Sequence, residues 1–262
     1  MFEKIGVHIS EEDQDYLNYT LCILRKLNKR ADFLYTEEDF ILRALGSLFE
    51  GSSESREKSI RDFVERHAKG HNFKRLEGSL EEVLEEVQRE YDLVFTQYRK
   101  LLFKKGFSDI VLEKTTGLAL WVYKKGCEPE LRKACLPVDF SERSLRQVQV
   151  AEYLKGFWNF EFDLVYALNT SRLKEKLSPK DYESSKKDKE EEAMHLYRDL
   201  FGDRQLNLIF LEGSPYRDLI RFVNTAGYDF VIVGRRGRGM KESIGSVSLS
   251  LLRASRCPVL VL

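Results

Sequence analysis

Residues 228–262 read YDFVIVGRRGRGMKESIGSVSLSLLRASRCPVLVL. An apolar run at 230–233 breaks into glycines and arginines, then into serines. Helical spacing resumes near 246–254, and a second apolar run, 258–262, follows. Strands that are apolar throughout, rather than alternating, are those of a parallel sheet covered by helices on both faces. Strand, loop, helix, strand is therefore the reading of these residues, and it sets the fold class of the whole chain.

The same alternation runs upstream. ACLPVDF (134–140) is a strand ending in Pro-x-Asp. The segment 141–157 carries Leu145, Val148, Ala151 and Leu154 on one helical face, with Ser141 as its cap. Strands are expected at 161–168 and 206–213. A helix is expected at about 186–201, and the charged run 180–192 reads as a solvated loop and helix start. Residues 214–227 form a helix with Ser214 as cap, Pro215 in the first position and Gly227 just past the end. The order is a doubly wound α/β domain with a five-stranded parallel sheet.

The first half repeats this order. Residues 4–10, 31–35 and 117–123 match the first, second and last strands; residues 13–27 match the first helix, and a longer charged helix is expected near 53–69. NFKRLEGSLEEVLEEVQREYDLVFTQ (72–97) lies beside LNLIFLEGSPYRDLIRFVNTAGYDFVIVG (206–234): both carry Leu-Glu-Gly-Ser before a helix, then Tyr-Asp before an apolar strand. The boundary falls in KKGCEPELRK (124–133), where Gly126 and Pro129 interrupt the pattern. Two tandem doubly wound domains follow, 1–126 and 127–262, with helices on both faces of each sheet.

Ligands of such sheets bind outside the carboxyl ends of the strands. Asp139 and Gly234 each stand just after a strand. Glycine at 234 and 237 lets backbone N–H groups approach a ligand. Gly245-Ser246-Val247-Ser248 opens a helix, whose first N–H groups lack intrahelical partners and whose dipole favours an anion. Arg235, Arg236 and Arg238 add local positive charge. Phosphate binding follows. Neither a P-loop nor a dinucleotide fingerprint fits: no hydroxyl follows Lys241, and Glu242 stands where the fingerprint from Gly237 needs glycine. The plain alternatives are a tight turn for the glycines, a solvated surface for the arginines and a helix cap for Asp139.

Composition narrows the class. With 43 basic and 43 acidic residues the chain has no overall charge to draw it to nucleic acid or an anionic membrane. No apolar run is long enough to span a bilayer, and the N-terminus does not read as a signal peptide, so a cytoplasmic protein is expected. Cys22, Cys127, Cys135 and Cys257 are scattered and read as thiols. The histidines are scattered too, so no metal site is expected. Trp121 and Trp158 read as packing residues. No nucleophile–base pair or paired carboxylates stand out, so no catalytic constellation is read and a binding protein is expected.

The glycine segment resembles the C-terminal signature of the universal stress protein family: glycine, two residues, glycine, nine residues, then Gly-Ser or Gly-Thr. Pro137-Val138-Asp139-Phe140-Ser141 matches the end of that family's first strand, and GSVSLSLLRASRCPVLVL resembles its closing helix and strand. One branch of the family binds ATP. The resemblance implies a stress-response protein whose second domain binds ATP or AMP, with Mg²⁺ accompanying ATP. Asp139, flanked by Pro137 and Val138, and the backbone near Ala167 meet the adenosine portion, with Val233 beside them. Gly234, Gly237, Gly245, Ser246, Val247 and Ser248 hold phosphates and ribose. Only seven residues, 238–244, separate Gly237 from Gly245, so this loop is shorter than in the binding branch.

In the first half His8 is read at the place of Asp139, and Gln97 and Lys100 at those of Gly234 and Gly237. The first domain is thus a degenerate copy. A nucleotide-free interaction module of the same fold is the competing reading. The family commonly dimerises through its last strand, so residues 118–123 and 258–262 are expected to meet in an intrachain pseudo-dimer, with a further homodimer left open.

Overall fold

The computed structural model describes residues 1–36, 53–99, 106–236 and 245–262. The chain divides into two compact units, Met1–Pro129 and Glu130–Leu262.

In the first unit, strands β1 (Ile5–Ile9), β2 (Asp32–Tyr35), β3 (Asn72–Arg75), β4 (Leu93–Gln97) and β5 (Ala119–Tyr123) alternate with helices α1 (Gln14–Lys26), α2 (Ser53–His67), α3 (Leu80–Glu90) and α4 (Phe107–Lys114). The strands are parallel in the order β3-β2-β1-β4-β5. The second unit carries β6 (Lys133–Pro137), β7 (Glu161–Ala167), β8 (Asn207–Leu211), β9 (Phe230–Val233) and β10 (Val259–Val261). Its helices are α5 (Glu142–Lys155), α6 (Ser171–Lys176), α7 (Pro179–Phe201), α8 (Arg217–Thr225) and α9 (Ser246–Ala254). Its order, β8-β7-β6-β9-β10, is the same arrangement, again parallel. Both units are doubly wound. Strands β1, β5 and β9 are buried at every position, as a sheet with two covered faces requires.

The shared words of the sequence have physical reasons. In Leu-Glu-Gly-Ser, Gly78 and Gly213 sit at φ 108° and 110°, where a side chain is strained and would collide with the carboxylate of Glu82 or Asp218. Ser79 and Glu82 form a reciprocal capping box at the start of α3. The Ser214 N–H donates to Asp218 instead, at 2.8 Å. In Tyr-Asp, the aspartate accepts the N–H groups at the start of the first strand. Asp92 Oδ2 takes those of Glu3 and Lys4, both at 2.9 Å, and Asp229 Oδ2 takes those of Arg132 and Lys133 at 3.1 and 3.0 Å. The tyrosine reaches the second strand: Tyr91 donates to Asp32 at 3.0 Å and Tyr228 to Asp163 at 2.8 Å. Asn72 and Asn207, on the third strands, donate to the same two aspartates at 2.8 and 2.6 Å.

The structure differs from the sequence reading at three helices. The charged run 180–192 is helical throughout, because Ser178 caps α7 and Pro179 occupies its first turn. Helix α8 starts at Arg217, after Tyr216; Ser214 accepts the Tyr216 N–H at 3.2 Å rather than capping the helix. Ser141 stands at the start of α5, but its hydroxyl donates to Asp139 and makes no cap bond. Trp121 and Trp158 are buried, Trp121 donating to Tyr19 at 3.0 Å. All four cysteines are free thiols. No helix among the described residues is long and apolar enough to cross a membrane.

Candidate functional site

Strand β6 is the turning point of the second sheet. The chain runs from β6 outward through β7 to β8, then returns to β9 on the other side of β6. The loops after β6 and β9 therefore diverge and leave a crevice at their carboxyl ends. Register brings the predicted residues to this one edge. Pro137 pairs with Val165 two residues before Ala167, and Val233 pairs with Val261. Val138 continues the edge by donating to the Val165 carbonyl at 3.0 Å.

Asp139 organises the loop after β6. Its Oδ1 accepts the Ser141 N–H at 3.1 Å, the Ser141 hydroxyl at 2.6 Å and the Ser144 hydroxyl at 3.0 Å. Ser144 Oγ in turn accepts the Asp139 N–H at 3.2 Å. Asp139 thus stabilises the start of α5, and its carboxylate is only half-buried. Behind it, Gln147 donates to the carbonyls of Pro137 (2.8 Å) and Ile232 (2.9 Å). This buried carboxamide ties the ends of β6 and β9 where their loops part. Sequence reading missed Ser144 and Gln147. Their signal was the spacing of polar residues in line with Val148, Ala151 and Leu154, the buried face of α5.

Gly234 does not use a left-handed backbone, nor does Gly245 at φ −65°. The freedom expected at Gly234 is therefore not the reason for glycine there. A Cβ at Gly234 would meet Arg143 Cβ at 3.4 Å, the Arg236 carbonyl at 3.6 Å and Gln147 Oε1 at 3.9 Å, which are ordinary contacts. The Gly234 carbonyl accepts the Ser248 hydroxyl at 2.6 Å, so that buried hydroxyl is engaged within the chain. Ser246 is exposed, and its hydroxyl bonds the Tyr216 hydroxyl at 3.0 Å. Val247 is half-buried beside it. The Gly245 N–H reaches the Arg235 carbonyl at 2.8 Å, which closes the base of the loop. The N–H groups of Ser246, Val247 and Ser248 have no intrahelical acceptor at the start of α9.

Arg235 is buried at 5% exposure. Burial first, and the neighbouring Arg236 guanidinium second, lower its pKa to about 10, so it stays charged at neutral pH. Its charge is buried and not part of a solvated surface. Gly237 and Arg238 lie outside the described residues, as does the shortened loop 238–244. Next to the Ala167 end of β7, a cleft of about 340 Å³ is lined by Thr170, Lys174, Tyr182, Glu212 and Arg217, among others. Among the described residues no group of three or more His, Cys, Asp or Glu could hold a metal.

The first unit's counterparts follow from the shared bonds. Asp92 and Asp229 hold equivalent N–H groups, so Lys4 matches Lys133. Counting along the strands sets His8 opposite Pro137 and Ser10 opposite Asp139. The sequence reading had placed His8 at Asp139; strand register moves it by two residues. Asp32 and Asp163 match through their tyrosine bonds, which sets Thr36 at the place of Ala167. Gln97 corresponds to Gly234; Lys100 lies outside the described residues. Helix α4 begins after Gly106 as α9 begins after Gly245, so a glycine start survives in this copy and Phe107 takes the place of Ser246.

The sequence model of the universal stress protein family matches residues 130–262. Comparison with curated proteins finds no match. Among solved structures, a functionally unknown protein from Pseudomonas aeruginosa PAO1 is 16% identical, with a TM-score of 0.66, and covers 100% of this chain and 92% of its own. A universal stress protein from Archaeoglobus fulgidus DSM 4304 is 14% identical, with a TM-score of 0.63, and covers 98% of this chain and 97% of its own. A universal stress protein family protein from Arabidopsis thaliana with AMP bound is 17% identical over 50% of this chain and 90% of its own, with a TM-score of 0.35. With a family signature over half its length and tandem structures alike along the whole of it, this chain belongs to the universal stress protein family.

Proposed function

We propose that the second unit binds an adenine nucleotide, ATP or AMP, at the carboxyl ends of β9, β6 and β7, and that the first unit is a copy without that site. The observation that carries this is the convergence at one switch-point edge. Asp139, Ala167 and Gly234 stand at neighbouring strand ends, bonds from Gly245 to Arg235 and from Ser248 to Gly234 tie the start of α9 to them, and the buried Arg235 stays charged. The residues fit an anion: N–H groups with no intrahelical acceptor begin α9, and Gly234 carries no side chain. Gly237 and Arg238 belong to the same set by sequence. Bound ATP would bring Mg²⁺ with its phosphates; this chain's part is to bind and orient the nucleotide.

A nucleotide-free interaction module is the second reading. It is favoured by one observation: Asp139 Oδ1 and the Ser248 hydroxyl are already satisfied inside the chain. Mass spectrometry of small molecules released from the purified, denatured protein separates the two. Co-purified ATP or AMP is expected. An empty protein with no thermal shift in ATP–Mg²⁺ establishes the second reading instead. Gly234→Ala sharpens the test, because the added methyl meets only ordinary contacts. It should leave the melting temperature unchanged and weaken nucleotide binding roughly tenfold. Unchanged affinity would remove Gly234 from the site.

We also propose that residues 118–123 and 258–262 pair across a pseudo-twofold axis. Each is the last strand of its own unit and apolar, and an unpaired edge invites a partner. A short linker supplies that partner at high effective concentration. Distances between spin labels at Tyr123 and Leu262 decide this: a separation spanning the molecule excludes the seam. Sedimentation velocity on the same chain reads whether it pairs again as a homodimer.

A further inference from the structure

The four positions of the first unit that match the candidate site are His8, Thr36, Gln97 and Phe107. They do not form an open crevice. His8 Nε2 bonds Thr36 Oγ1 at 2.7 Å, joining the ends of β1 and β2 across the place that corresponds to Pro137 and Ala167. The Phe107 ring lies flat on the His8 imidazole, with centroids 3.7 Å apart and planes 5° from parallel. His8 and Thr36 are buried, and Phe107 is half-buried. Gln97, in the place of bare Gly234, fills its position with a carboxamide held between Asp13 (2.6 Å) and Arg99 (3.2 Å). In the second unit the residue matching Phe107 is Ser246, which is small, exposed and turned to Tyr216. The first unit therefore presents an aromatic ring, a flat polar partner beneath it and a hydrogen bond at the partner's edge. These are the elements by which a protein holds a heteroaromatic ligand.

We propose that Phe107 is an intrachain plug: it occupies a slot over His8 that accepts a flat aromatic ring, so the first unit is closed by its own side chain. The comparison of this slot with the second unit rests on the function proposed above; the plug itself does not. Two consequences follow. The chain offers one nucleotide site and not two, and the first unit is held in one state whatever the nucleotide level. The block is a single side chain, so its removal opens the slot.

The His8 ring protons report the plug directly, because a stacked ring shifts them upfield. In the full-length protein those resonances should be upfield-shifted, and adenosine should not move them. In Phe107→Ala the shift should vanish at first, and added adenosine should restore it as a second ring enters. Adenosine that moves the His8 resonances of the unaltered protein would show an open crevice and overturn the plug. Failure of adenosine to move them in Phe107→Ala would overturn the slot. If that variant does not fold, Phe107→Leu keeps most of the bulk: it should fold and lose the upfield shift, and an unchanged shift would refute the stack. Repeating the titration with Gly234→Ala, which weakens the second unit's site, keeps the two units distinguishable. Adenosine should still move His8 in the Phe107→Ala, Gly234→Ala double variant.

Discussion

Asp139 shows how much one carboxylate oxygen can hold. Its Oδ1 gathers an N–H and two hydroxyls from the first turn of α5. Asp139→Ala leaves those donors without that acceptor and should cost about 1–3 kcal/mol in urea denaturation. Asp139→Asn keeps an oxygen acceptor and should cost less than half of that. Equal losses would mean that the oxygen is not what matters. His8 behaves differently, because its environment opposes charge. Burial, and then the Arg99 guanidinium, lower its pKa to about 3. Below the ordinary histidine range the unfolded chain takes up a proton that the folded chain refuses. Stability should therefore fall as pH drops from about 6.5 toward 3, by up to about 1.4 kcal/mol per pH unit. His8→Gln should flatten that slope in stability measured from pH 7 to 5; an unchanged slope would assign it to other groups.

Strand pairing in each unit is anchored by an Asp–Asn–Tyr set, and in the second unit its aspartate and tyrosine are buried. Asp163, 4% exposed, accepts from Asn207 on β8 and from Tyr228 before β9, and pairs with Lys133 on β6 at 3.0 Å. Burial alone would raise its pKa. The hydrogen bonds from Asn207, Tyr228 and Lys133 together outweigh burial and hold it below the ordinary aspartate value. Its contribution is therefore complete above about pH 4 and is lost as pH falls through the lowered folded-state value. Asp163→Ala strands three donors and should cost about 3 kcal/mol at neutral pH, seen as a lower urea midpoint. A loss under 1 kcal/mol would show that water replaces the carboxylate.

Duplication has left the two units with the same strand order and the same polar anchors at the strand starts, but with different chemistry at the strand ends. Anchors that hold a sheet together are needed in both copies. On the proposed function a ligand edge is needed in only one, and the other is free to fill it with side chains. One adenine nucleotide per chain is the expected stoichiometry in isothermal titration of the full-length protein. Two sites of similar affinity would contradict both the asymmetry and the plug.

Much of this was present in the residues themselves. Apolar runs, glycine breaks and the repeated Leu-Glu-Gly-Ser and Tyr-Asp are local patterns, and local patterns determine elements and their order. They announced a duplicated, parallel α/β chain and the helix that starts after Gly245, because backbone geometry near a helix start depends on neighbours in sequence. Tertiary structure decided what register decides. His8 stands opposite Pro137 and not Asp139, since a strand's alignment follows from hydrogen bonds to residues some ninety positions away, at Asp92 and Asp229. The same holds for Gln147 bridging two strand ends and for Phe107 lying on His8. Each joins segments separated by tens of residues. Such contacts depend on how the sheet is assembled, and no window of sequence contains them.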